Sequence, residues 1–109
     1  GIGGASGKGE VFQNGQVLGS ASLKQISLGF QFGGQAFREI IFFKEKQDTD
    51  RFTEGHFEFG AQASAVLIKK GVSVETAYSN GVAVFTMAKG GLMYEASIGG
   101  QKFSFKPYD

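Results

Sequence analysis

The chain has 109 residues, with 12 Phe, 3 Tyr, 18 Gly, one Pro, no Cys and a net charge of +1. That length fits a single domain. The lack of Cys excludes disulfides and thiolate metal sites, and the near-neutral balance excludes a global field of the nucleic-acid-binding kind. No apolar run reaches the roughly 18 residues of a membrane-spanning helix, and the first residues carry no charged-then-apolar leader pattern.

The opening Gly3-Gly4-Ala5-Ser6-Gly7-Lys8-Gly9 invites a phosphate-loop reading. A P-loop needs a Ser or Thr after its Lys and a helix behind it. Gly9 stands at the hydroxyl position and a strand pattern follows, so a bent or bulged strand is expected. Asn14-Gly15 then lies between Val11-Phe12-Gln13 and Gln16-Val17-Leu18. A two-residue Asn-Gly loop predicts a hairpin, because a type I′ turn needs positive φ at both positions.

Further on, Ile26, Leu28, Phe30 and Phe32 alternate with Ser27, Gly29, Gln31 and Gly33. Alternation of period two puts one set on a core face. After Gly33-Gly34, the run Glu39 to Lys44 poses a conflict. Ile40 and Phe42 share one face, and Ile41 and Phe43 share the other. Either this strand is covered on both sides or it shows an apolar patch. Phe42 and Phe43 are therefore the candidate apolar surface, set against burial beneath the short helix or a neighbouring protomer.

Gln47 to Glu54 reads as a short helix, with Asp48 or Asp50 as N-cap, Gly55 as stop and Phe52 pinned to the core. Capping explains these carboxylates better than calcium, which needs about six to eight oxygen ligands. His56 is the only His, so no second imidazole or thiolate can join it around a metal. A hydrolase would need it to meet a Ser and a carboxylate, and no Gly-x-Ser-x-Gly elbow is present. No catalysis and no cofactor are expected.

Phe57 and Phe59 alternate with His56, Glu58 and Gly60, and the small residues Ala61 to Ala65 predict a close contact or a bent strand. Lys69-Lys70-Gly71 and Asn80-Gly81 separate apolar strands. Leu92, Tyr94, Ala96 and Ile98 form another alternating run. Lys89-Gly90-Gly91 and Gly99-Gly100-Gln101 read as the last two hairpin turns, and Phe103 and Phe105 alternate with Lys102, Ser104 and Lys106. The expected fold is all-β: an antiparallel barrel or two packed sheets of about seven or eight strands, with one short helix near residues 47–54.

The basic residues suggest a surface. Lys69 and Lys70 at a turn, Lys89 at the next, and Lys102 and Lys106 on the polar side of the last strand form a candidate basic patch. Each Lys near an anionic bilayer is worth about 1 kcal/mol, so a few together give weak, salt-sensitive attachment. The competing reading is edge protection by solvated lysines. Lys8 is near the start, and Lys24, Arg38, Lys44 and Lys46 are spread over the first half.

Four blocks in order, GIGGASGKG at 1–9, SLGFQFGGQ at 27–35, GAQAS at 60–64 and KGGLMYEASIGGQKFSFKP at 89–107, resemble the SYLF domain. The resemblance implies one lipid-binding β domain over 1–109, with anionic phospholipid as partner and no nucleic acid. Eukaryotic members bind phosphoinositides and some bind actin; actin finds no separate support in these residues. Without an SH3 or FYVE domain the chain is similar to the short bacterial members, which implies export to the periplasm or envelope. Family members carry a partly helical stretch before the first block, so the resemblance predicts a core trimmed from a longer precursor. The alternative is an exported structural scaffold that pairs with proteins through edge strands, and homo-oligomerisation is left open.

Overall fold

The computed structural model describes residues 3–27, 37–68, 73–88 and 95–108. Two long strands open the chain, β1 (Gly3–Gln13) and β2 (Gln16–Ser27). Between them Asn14 and Gly15 have φ of 51° and 79°, both left-handed as an Asn-Gly hairpin requires. The glycine-rich start is extended within β1, paired from Gly3↔Ser27 onward, and forms no phosphate loop. The bulge lies further along. Val11 pairs with Gly19 and Phe12 with Val17, leaving Leu18 as the extra residue.

β3 (Phe37–Phe43) is followed by α1 (Lys46–Thr53). The helix starts one residue before its expected span. Its N-cap is Glu45, and Asp48 is the third helical residue, where its Oδ2 accepts the Glu45 backbone N–H at 3.0 Å. Asp48 thus serves the cap by reaching back, as in a capping box. Gly55, at φ 94°, stops the helix as expected.

Two-residue β4 (Phe57–Glu58) and then β5 (Ser64–Leu67) follow. The expected strand before Asn80-Gly81 is instead a helical turn, α2 (Val74–Ala77). Asn80 and Gly81 still close a tight left-handed turn, with Ser79 bridged to Val82 at the head of β6 (Val82–Ala88). The described chain ends with β7 (Glu95–Ser97) and β8 (Lys102–Pro107).

These strands form two sheets, not a closed barrel: β1-β2-β8-β4 and β3-β6-β5-β7. All pairs are antiparallel except β5 with β6, which run parallel. That follows from the turn at α2, because a parallel return needs a crossover where a hairpin would reverse the chain. The Gly99-Gly100 turn also differs from expectation. It carries the chain from β7 in one sheet to β8 in the other rather than closing a hairpin. Ala61-Gln62 form a turn rather than strand, and a side chain at Gly99 would overlap the Ala61 backbone. The small residues here mark that close approach.

The core lies between the sheets around Phe52. Its ring packs 5.3 Å from Phe43, 5.2 Å from Phe57 and 5.2 Å from Phe103. Phe59 meets Phe57 and Phe103 edge-on, with Val11, Ala65, Val84 and Ile98 completing the cluster. Each fully buried ring contributes about 2–3 kcal/mol by removal from water. α1 is held against the turn that leads into β6: the Lys44 N–H donates to the Gly81 carbonyl at 2.9 Å, and Arg51 donates to the Asn80 carbonyl at 3.1 Å.

Candidate functional site: a lysine–serine sheet face

The outward side of the first sheet follows from register. In β8, Phe103 points inward, while Lys102, Ser104 and Lys106 are exposed. Their partners in β2 are Lys24, Ser22 and Ser20. Those in turn pair with Ser6, Lys8 and Glu10 of β1. On the far side of β8, Glu58 of β4 pairs with Lys102. One face therefore carries Lys8, Lys24, Lys102 and Lys106, with hydroxyls between them and two carboxylates at its margins.

The centre of this face is the Ser22–Ser104 pair. Lys8 lies directly across from Ser22, and Lys24 and Lys102 occupy the next row. Lys106 is two residues along β8 from Ser104. Strands are about 4.8 Å apart and next-but-one residues roughly 6.6 Å apart, so all four ammonium groups can reach the space above the two hydroxyls. Lys24 stands directly opposite Lys102. Like charges so placed destabilise a sheet pair by a few tenths to about 1 kcal/mol. Glu58 offsets part of this from the other side.

Of the residues proposed from sequence, Lys102 and Lys106 lie on this face. Lys69, Lys70 and Lys89 lie outside the described residues. In the sequence Lys8 stands near the start and Lys24 among charges spread over the first half, and only the register brings them together. The available signal was their phase: Lys24 is in step with Ser22 and Ser20, the polar side of an alternating strand.

Phe42 and Phe43 part company. Phe43 turns inward onto Phe52 and belongs to the core, not to a surface. Phe42 points outward and is 40% exposed, its ring edge-on to Phe85 at 5.9 Å. Ile40 and Met87 share that outward face and are also exposed, whereas Ala83 and Phe85 on the same face are buried, so the face is covered over the middle of β6 and open along β3 and at Met87. On the inward side of the same strand sits Glu39, opposite the buried Thr86. Burial pushes its carboxyl up to about 7. The Gln101 side chain tempers that rise without closing a regular hydrogen bond to either Glu39 oxygen.

Among the described residues no group of three or more His, Cys, Asp or Glu could hold a metal ion. His56 is exposed, at φ 59°. An open cleft of about 300 Å³ is lined by Glu58, Phe59, Gly60, Ala61 and Gly100. It offers one carboxylate and a stretch of backbone, with no nucleophile–base pair. No helix among the described residues is long and apolar enough to cross a membrane.

Beta cell expansion factor A of Aeromonas veronii is 27% identical to this chain over 71 residues, a match covering 65% of this chain and 27% of that protein. The chain thus spans about a quarter of the length of this curated relative. No solved structure gives a significant match. A family model described as "Las17-binding protein actin regulator" matches residues 24–107, from within β2 to the end of β8. With both sheets represented in that match, the chain belongs to the Ysc84 (SYLF) family.

Proposed function

We propose that this domain is a non-catalytic binding module for anionic phospholipid, and that the lysine–serine face meets the membrane. The observation that carries the reading is the set of Lys8, Lys24, Lys102 and Lys106 around the Ser22–Ser104 pair. A face built for stability alone would not set Lys24 against Lys102. The hydroxyls donate to phosphate oxygens while the ammonium groups supply charge. Four basic residues at about 1 kcal/mol each give attachment in the millimolar range that salt weakens. The family's description as a regulator that binds another protein supports a binding role over a catalytic one.

The test is co-sedimentation with neutral and anionic vesicles at low and high salt. Pelleting with anionic vesicles only, and more at low salt than at high, is the expected result. Equal behaviour toward both vesicle types would sink the proposal. The outward apolar face of Ile40, Phe42 and Met87 favours a second reading, a scaffold that docks a protein partner. A stable homo-oligomer indifferent to lipid would support that reading instead.

A further inference from the structure

The lysine–serine face ends in an apolar margin. Val11 and Leu18 pack toward the core at the bulge, so Phe12 and Val17 alternate to the opposite, outward side. They pair across the hairpin beside the Asn14-Gly15 turn and are 57% and 40% exposed. Tyr108 joins them. It continues the outward phase of Lys106, and its hydroxyl lies 3.2 Å from Glu10 Oε2, across β2 on β1. Its ring remains 52% exposed. Phe12, Val17 and Tyr108 all fall outside residues 24–107, so the family match does not account for them.

We infer that the β1–β2 hairpin end, through Phe12 and Val17 with Tyr108 at the water boundary, inserts into the acyl edge of an anionic bilayer while the neighbouring lysines hold the headgroups. This rests on the lipid reading above and adds a depth and an orientation to it. The lipid surface is the favoured occupant because the apolar margin and the cationic face share one side of one sheet. Such a side is matched by a surface with phosphates above hydrocarbon. The phenol of Tyr108, apolar in body and polar at its tip, suits the boundary between the two. Burial of Phe12 and Val17 adds attraction that salt does not screen.

The chain has no Trp, so Phe12→Trp places a single indole at the hairpin end and Ile40→Trp places one on the outward face of the other sheet. Each variant is mixed with phosphatidylglycerol vesicles whose acyl chains carry bromine, and pelleting is measured beside emission. The expected result is a blue shift and bromine quenching for Phe12→Trp but not for Ile40→Trp, with a bound fraction that persists in high salt. Pelleting with an unquenched Phe12→Trp indole would overturn insertion while leaving electrostatic attachment intact. If neither variant pellets with anionic vesicles, the insertion and the lipid reading fall together. A blue shift of Phe12→Trp that grows with protein concentration and needs no vesicle would assign the hairpin end to a second copy of this chain, and overturns the proposal.

Discussion

The outward face of the first sheet carries Lys8, Lys24, Lys102 and Lys106 among serines, whereas the outward face of the second carries Ile40, Phe42 and Met87. Their inward faces differ in the opposite sense. The first sheet buries Val11 and Phe103, and the second turns Glu39 toward the interior beside Phe43 and Ile41. β3 is thus partly inverted, with a carboxyl inside and large apolar groups outside. Stability alone favours the reverse arrangement, since a buried charge is costly and an exposed Phe gains little. The first sheet keeps the ordinary pattern and concentrates charge on it, so its outward face is suited to a charged surface. The second sheet's outward face is suited to an apolar partner.

The inversion of β3 should be visible first in the pH dependence of stability. The Glu39 carboxyl is raised from 4.5 to about 7 in the fold. A raised acid binds its proton more tightly folded than unfolded, so stability falls as pH rises from about 4.5 to about 7 and levels off above that. The size is on the order of 3 kcal/mol. Denaturant titrations at pH 5 and pH 8 should show it, and Glu39→Gln should flatten the difference by stabilising the protein at pH 8. An unchanged slope in that variant would mean that Glu39 is not the group responsible.

A smaller effect separates function from stability on the first sheet. Lys102→Gln with Lys106→Gln should weaken binding to anionic vesicles by about 2 kcal/mol, roughly thirtyfold. The same change relieves the Lys24–Lys102 opposition, so the thermal midpoint should hold or rise slightly. Loss of stability in parallel with loss of binding would recast these lysines as structural. The smallest effect is expected on the other side. Ile40→Thr with Phe42→Thr should lower stability by about 1 kcal/mol, because both side chains are only about half exposed and Phe42 packs against Phe85. Vesicle binding should stay as it was, while any self-association measured by sedimentation equilibrium should decline.

The hairpin at Asn14-Gly15, the stop at Gly55, the Phe52 anchor and the all-β class follow from local rules, and the sequence by itself determined them. Each depends on the φ a residue tolerates, on a period of two within a few positions or, for Phe52, on its being the one large apolar residue of a short polar helix. Glu45 as the helix cap escaped such rules because a capping box depends on a reach of three residues as much as on residue type. The tertiary structure alone decided which strands are neighbours. It placed β8 beside β2, brought Lys8 and Lys24 to Lys102 and Lys106, and turned the Gly99-Gly100 bend into a passage between sheets. It also sent Phe43 inward and Phe42 outward. Alternation tells that two residues lie on opposite faces; which face meets the core is decided where Phe43 and Phe52 meet Phe57 of β4 and Phe103 of β8, strands that lie far along the chain.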